Sequence, residues 1–138
     1  MKKLFIDADI ILDLLLERHP FHESANELFS RIENGNYEGH TSTIVIANLH
    51  YLMEKAESKN VANKGILKLL KLLSIIPVQK DDFINSLNSS FNDFEDGAQY
   101  YASLRSNMDF IITRNIKDYR HSKIKVLNPH EFIRSYDS

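Results

Sequence analysis

The chain reads as an α/β domain built on a mainly parallel sheet, and three observations carry that reading. Short apolar runs, Leu4-Phe5-Ile6 and Phe110-Ile111-Ile112 above all, have strand length and the continuous hydrophobicity of strands covered on both faces. Longer segments with apolar residues at helical spacing lie between the runs, so strand and helix alternate as in βαβ units. The 138 residues, 43% of them hydrophobic, suffice for a single domain, taken as residues 1–138.

In chain order, residues 3–7 form a buried strand ending in Asp7. Residues 8–16 are apolar nearly all round except Asp9 and Asp13, four apart, which makes a buried helix with one polar stripe. Pro20 opens the next helix as a first-turn proline; Phe21, Ala25, Leu28, Phe29 and Ile32 follow helical spacing, and Gly35 closes it. Residues 37–41 make a weak strand, and Ser42 caps a helix running to about Glu57. Residues 61–73 are a leucine-rich helix. Residues 74–78 form a strand that Pro77 places near an edge or an end. Asp81 or Asp82 caps a helix carrying Phe83, Ile84, Leu87 and Phe91, and residues 93–106 form another. Strands follow at 109–113 and 123–127. Asn128-Pro129-His130-Glu131 then has the cap, first-turn proline and third-position acid of a helix start.

Composition narrows the chemistry. The absence of cysteine excludes disulfides, thiolate metal sites and a cysteine nucleophile, so a metal would bind through carboxylates, amides, water or histidine. Of the six histidines only His19 and His22 are closely spaced, and they read as surface residues. A net charge of −2 argues neither for nor against nucleic acid. No Gly-rich phosphate loop or Gly-x-Ser-x-Gly elbow occurs. No apolar run reaches the ~20 residues of a membrane span, and Asp7 interrupts any signal-peptide core. A cytoplasmic protein without a membrane partner is the expectation.

In parallel sheets ligands bind beyond the carboxyl ends of the strands, which is where the acids of this chain fall. Asp7 ends the first strand. Asp118 follows Thr113-Arg114-Asn115 at the end of another, while Asp93 and Asp96, three apart, share a face of their helix. Such oxygen clusters suit hard divalent cations, and two ions can activate water against a phosphodiester. Each acid also has a structural role open to it. Asp7 serves as a helix cap, Asp93 and Asp96 as a cap and a dipole-complementing acid, and Asp118 as a partner of Arg114 or Lys117. Asn115 equally forms a turn. Asn48 falls on a helical wheel among Ile44, Ala47, Tyr51 and Leu52, so it is either a satisfied buried amide or a group facing the acids.

These segments resemble the PIN-domain family, including VapC-type toxin ribonucleases. Leu4-Phe5-Ile6-Asp7-Ala8-Asp9-Ile10-Ile11-Leu12-Asp13-Leu14 is similar to the first family motif, with Asp7 at the first metal acid and Asp9 where Asn is usual. Thr41-Ser42-Thr43-Ile44-Val45-Ile46-Ala47-Asn48-Leu49 resembles the second, with Asn48 in place of Glu. Asp93-Phe94-Glu95-Asp96-Gly97-Ala98-Gln99-Tyr100-Tyr101-Ala102 resembles the third, with Asp96 at the third acid. Phe110-Ile111-Ile112-Thr113-Arg114-Asn115-Ile116-Lys117-Asp118-Tyr119 resembles the fourth, with Asn115 where Asp can stand. The four motifs span the chain in order. The resemblance implies a three-layer α/β/α sandwich, Mg²⁺ or Mn²⁺ as cofactor, and an endoribonuclease acting on RNA, the toxin of a toxin–antitoxin pair. It implies Asp7 and Asp96 as catalytic acids and metal ligands, with Asn48 and Asn115 at the other two ligand positions; position along the chain adds Asp93 and Asp118 as catalytic candidates, and Asp93 as a further metal ligand. Asp93, Glu95 or Asp118 could restore the charge that Asn48 and Asn115 lack; helical geometry favours Asp93, since Glu95 points roughly a third of a turn from Asp96. A small antitoxin and a second copy of the chain are candidate partners. A catalytically degenerate PIN domain, binding RNA or protein without cleaving, is the competing expectation, and a DNA-directed nuclease a third.

Residues 114–125 hold Arg114, Lys117, Arg120, Lys123 and Lys125 against Asp118 alone, beside the proposed acids. Arg114, Lys117 and Arg120 are therefore the expected phosphate contacts. Lys64, Lys68 and Lys71 form a second basic stripe, which reads as a solvated helix face.

Overall fold

The computed structural model describes residues 1–136, so the last two residues of the expected domain lie outside the described residues. Five strands, β1 (Lys3–Ile6), β2 (Glu38–Ser42), β3 (Ser74–Ile76), β4 (Phe110–Ile112) and β5 (Lys125–Leu127), form one sheet in the order β3-β2-β1-β4-β5. Every neighbouring pair is parallel, with Leu4 opposite Gly39 on one side and Phe110 on the other. The helices are α1 (Ala8–Leu15), α2 (His22–Glu33), α3 (Thr43–Ala56), α4 (Lys59–Leu72), α5 (Lys80–Leu87), α6 (Phe94–Arg105) and α7 (Pro129–Tyr136). A 3-10 turn at Ile116–Tyr119 joins β4 to β5.

Right-handed crossovers settle the layers. The path β1 to β2 to β3 moves one way across the sheet and puts α1 to α4 on one face. The return from β3 to β4 reverses direction and puts α5 and α6 on the other. Leu4, Phe5 and Ile6 of the central strand are accordingly buried at 0–1% exposure, as expected of a strand covered on both sides. Because the direction reverses, β1 has neighbours reached by opposite routes. The carboxyl ends of β1 and β4 thus flank a topological switch point, the place where open α/β sheets bind their ligands.

Local chemistry accounts for the element ends. Ser42 stands at the carboxyl end of β2 and caps α3, its Oγ accepting the Val45 N–H at 3.1 Å. The same hydroxyl donates to Gln99 Oε1 at 2.8 Å, pinning α6 to the end of β2 through a buried bond. On the far side of α6, a Cβ at Gly97 would collide with the Ser86 side chain, so glycine allows α5 and α6 to close on each other. Ser86 Oγ, in turn, donates to Phe94 O at 2.8 Å across that contact.

Several element expectations need correction. Pro20 lies outside α2, in the turn before it, after a cis peptide bond. Neither Asp81 nor Asp82 is the cap of α5. Gln79 is, and Asp82 is the third helical residue whose carboxylate accepts the Gln79 N–H at 2.8 Å. Phe91 falls beyond α5, which ends at Leu87. The wheel face assigned to Asn48 is the wrong one. Helix α3 buries Val45, Leu49 and Met53, while Tyr51 is 61% and Leu52 40% exposed. With apolar residues nearly all round its first ten positions, the helix carries no pattern strong enough to choose its buried side. Among the described residues no helix is long and apolar enough to cross a membrane.

Candidate active site

The residue after β1, Asp7, keeps one more ladder bond, its N–H donating to Ile112 O at 3.0 Å. It then caps α1, with Oδ1 accepting the Ala8 N–H at 2.8 Å. The cap and the site position therefore belong to one side chain, which is only 8% exposed. Its second oxygen, Oδ2, faces the wholly buried Thr113 hydroxyl at 3.0 Å and the Tyr119 hydroxyl at 3.4 Å. Thr113 follows β4 directly, so the two sides of the switch point meet at this bond.

Asp96 arrives from the other face of the sheet. It sits in the first turn of α6, whose N-cap is Asp93; the Asp96 N–H donates to Asp93 Oδ1 at 2.9 Å. Asp96 Oδ1 lies 3.5 Å from the same Tyr119 hydroxyl that reaches Asp7. One phenolic proton thus stands between two carboxylates separated by most of the chain. Burial, then the charges of Asp7, Asp93 and Asp118, push Asp96 up to about 7. Burial, then Asp9, pushes Asp7 up to about 6. Tyr119 is raised well above the ordinary phenol range by burial and by the facing carboxylates, so it stays a neutral donor.

Asp9 joins this group. Its Oδ2 accepts the Arg114 N–H at 3.0 Å and the Asn115 side-chain amide at 3.3 Å, and lies 3.5 Å from the Thr113 hydroxyl. Its Oδ1 is buried and has no partner. Burial pushes the pKa of this carboxyl up too, opposed by the Arg114 N–H and guanidinium and by the Ile10 N–H. One turn on, Asp13 is fully buried and bound by both neighbouring arginines: Arg18 Nε at 2.9 Å, Arg114 Nε at 2.7 Å and Arg114 Nη2 at 3.1 Å.

The structure sorts the expected site residues. Asp7 and Asp96 converge, with Asp93 and Asp118 near enough to act on Asp96. Asn115 reaches the cluster through Asp9. Asn48 does not face inward from a buried surface. It is exposed and donates to Glu95 Oε1 at 3.2 Å, so Glu95 turns toward α3 rather than into empty solvent. The guanidinium of Arg114, expected on phosphate, is held by Asp13 and lies 3.9 Å over the Phe21 ring. Lys117 on the 3-10 turn and Arg120 just after it are exposed and, with Lys125, line a groove beside Tyr119.

Sequence reasoning missed Asp9, Thr113 and Tyr119 as members of the site. Asp9 was visible as a departure from the first motif. Thr113 was legible as the polar residue that ends an apolar strand. Tyr119 had no signal beyond its place after Asp118.

The donor set suits a hard divalent cation. The side chains offer oxygen, the carboxylates face one another across a phenol, and Asp9 Oδ1 is a buried anionic acceptor without a donor. Among the described residues no three acid or imidazole groups stand close enough to close around one ion. A Mg²⁺-like ion does not need that, because it keeps several waters and takes one or two protein carboxylates.

Comparison with known proteins follows this geometry. The family model described as PIN domain matches residues 3–117. Ribonuclease VapC1 of Aquifex aeolicus is 25% identical over 142 residues, covering 99% of this chain and 97% of that protein. Among solved structures, VapBC2 from Rickettsia felis, bound to a DNA fragment from the promoter, superposes with a TM-score of 0.69. It is 20% identical and covers 91% of this chain and 98% of that one. A toxin–antitoxin complex from Klebsiella pneumoniae gives a TM-score of 0.68 at 19% identity, covering 91% and 97%. At such identities the structural matches speak to the fold.

Proposed function

The chain belongs to the PIN-domain family, and from that premise we propose that it is a Mg²⁺- or Mn²⁺-dependent endoribonuclease, the toxin of a toxin–antitoxin pair. The observation that supports this most is the facing of Asp7 and Asp96 across the neutral Tyr119 hydroxyl, at the carboxyl edge of a parallel sheet. The similarity to a VapC ribonuclease and to toxin–antitoxin structures favours RNA as the substrate and a small antitoxin as the partner. A second copy of the chain is a further candidate partner.

In this reading Asp7 and Asp96 hold the ion, and Asp93 and Asp118 add negative field around Asp96. The bound ion supplies Lewis-acid charge to the scissile phosphate and its leaving oxygen. Asp96, held up to about 7 in the metal-free chain, would have to give up its proton to ligate the ion, so that binding would release a proton near neutrality. Tyr119, buried between Asp7 and Asp96, keeps its hydroxyl within reach of both carboxylates. Asn115 and Asn48 act chiefly through their amide donors, on Asp9 and Glu95, and only secondarily as neutral ligands. Lys117 and Arg120 contact backbone phosphates from the groove beside the site. Arg114 contributes by its field and by fixing Asp13.

The test is cleavage of RNA in Mn²⁺ by the wild type, Asp7→Asn and Asp96→Asn, with circular dichroism to show that all three fold. Each variant should lose activity by about 100-fold or more; equal cleavage by all three would remove the reading. A single-stranded DNA substrate run alongside decides the sugar. The competing reading, a binding module that no longer cleaves, draws on the neutral Asn48 and Asn115. It gains ground if calorimetric titration shows no Mn²⁺ binding at millimolar concentration.

A further inference from the structure

We propose that the aromatic cavity between the α5–α6 loop and the segment after the 3-10 turn is a nucleobase subsite, which takes one unpaired base of an RNA strand lying across the acids. The proposal deepens the ribonuclease reading above and rests on it. The cavity measures about 340 Å³ and is lined chiefly by Phe91, Tyr100, Tyr101, His121 and Lys123, with Asn88 at one end. That volume is at the lower end of the range for small-ligand pockets, and it suits a single base rather than a duplex.

Placement carries the argument. The loop that holds Phe91 runs on into Asp93, the N-cap of α6, and then Asp96. The segment that holds His121 and Lys123 follows Asp118 and Tyr119. Both walls are therefore continuous with residues of the acid cluster. Tyr119 joins the two places. Its ring lies edge-on to Phe91 at 6.0 Å, and its hydroxyl lies 3.4 Å from Asp7 and 3.5 Å from Asp96. A strand with a phosphate at the acids can thus set a neighbouring base in the cavity.

The lining suits a base. Phe91 sits among four rings, Tyr100 at 5.0 Å, Tyr119 at 6.0 Å, Tyr101 at 6.4 Å and His121 at 6.5 Å. Tyr100 is buried, and its hydroxyl accepts the Lys123 N–H at 3.0 Å, which fastens one wall to the other. Tyr101 is only half-buried and His121 is exposed, so aromatic surface stays open on a fixed frame. A cluster that served the core alone would gain by burying these rings. Unpaired bases stack on such surface whatever their sequence. Asn88 adds an exposed amide that can meet a base edge, and Lys123 an exposed cation for the adjoining phosphate. Among the described residues no carboxylate lines the cavity, so an anionic strand meets no like charge there.

The experiment measures binding of a fluorescein-labelled, mixed-sequence single-stranded oligoribonucleotide by anisotropy, at low salt and in chelator so that no strand is cut. The full chain is compared as wild type, Tyr101→Leu, Tyr101→Phe and His121→Ala. An abasic strand of the same length offers the phosphates without the bases. The wild type should bind the base-bearing strand about tenfold more tightly than the abasic one. Tyr101→Leu should lose most of that preference while keeping its affinity for the abasic strand, Tyr101→Phe should retain it, and His121→Ala should reduce it in part. A misfolded variant would weaken binding to both strands, so the wild type is also photocrosslinked to 5-iodouridine RNA, with adducts expected at Phe91, Tyr101 or His121 by mass spectrometry. A preference that survives both Tyr101→Leu and His121→Ala, or adducts that form only elsewhere, would overturn the proposal and leave the ribonuclease reading intact. The absence of any preference in the wild type would leave the cavity to a protein side chain and overturn it as well. Failure of the wild type to cleave RNA in Mn²⁺ would withdraw the ribonuclease reading and, with it, the placement of this base beside a scissile phosphate.

Discussion

Asp13 shows how much one side chain can organise. It is fully buried on α1, yet both of its oxygens are engaged, Oδ1 by Arg18 and Arg114 and Oδ2 by Arg114. Charge-assisted bonds of this kind contribute roughly 1.5–3 kcal/mol each when part-buried. Both arginines are partly solvated and can turn to water once the acid is gone, so the contributions do not add. Asp13→Ala is therefore expected to lower stability by about 2–4 kcal/mol, and Arg18→Ala, losing the more exposed partner, by only about 1 kcal/mol. Urea unfolding of the three proteins checks both. An Asp13 variant within 0.5 kcal/mol of wild type (about the scatter of a neutral surface change) would mean that the pair is ornamental. At this scale the sequence was only half legible. Asp9 and Asp13 stood out as one polar stripe on an apolar helix. Their opposite fates, one neutralised by arginine and one left with a bare oxygen, depend on Arg114, which lies a hundred residues away and has no local signature.

Helix α6 positions Asp96 through two unlike contacts. On one side Gln99 accepts the buried Ser42 hydroxyl, and on the other Gly97 lets α5 close until a Cβ would meet Ser86. Gly97→Ala adds the better helix former, worth up to about 1 kcal/mol in an open helix. Here the methyl has no room, and overpacking of this kind costs about 1–3 kcal/mol. The net expectation is a loss of about 1–2 kcal/mol with a shift of the α6 N-terminus, so RNA cleavage should fall along with stability. Ser86→Gly in the Gly97→Ala background vacates the space and should recover part of both. A stabilised Gly97→Ala variant would show that the two helices are not in such close contact. Elements were the most readable scale. Strand β1, the Ser42 cap of α3, the Asp93 cap of α6 and the Pro129 start of α7 all follow from local chemistry. The failures have the same root. Helix α3 carries apolar residues such as Tyr51 and Leu52 on its exposed side as well, so its pattern could not show that Val45, Leu49 and Met53 face the core and Asn48 faces out. The 3-10 turn carrying Tyr119 is too short for any periodicity to register.

The whole molecule brings acids from α1, α6 and the segment after β4 to one place, and that convergence makes its stability depend on pH in an unusual direction. Carboxyls of an unfolded chain titrate near 4. In the fold Asp7 is held up to about 6 and Asp96 up to about 7, by burial first and by neighbouring carboxylates second. Between these limits the folded state binds more protons than the unfolded state, and linkage then makes stability fall as pH rises. The stabilising proton uptake is fully present below about pH 4 and is gone above about pH 7. Other acids titrate in the same span, so the quantity to measure is a difference. Melting temperatures in chelator, wild type minus the Asp7→Asn/Asp96→Asn double variant, should decline steadily from pH 5 to pH 8. Mn²⁺ should reverse the trend for the wild type alone, since an ion binds the deprotonated carboxylates and stabilises the fold most where they are charged. A difference curve that is flat in chelator would mean that the carboxylates do not burden one another in the folded chain. One that rises with pH would mean that cations of the protein already compensate them, and the cluster would then have no electrostatic need of a metal.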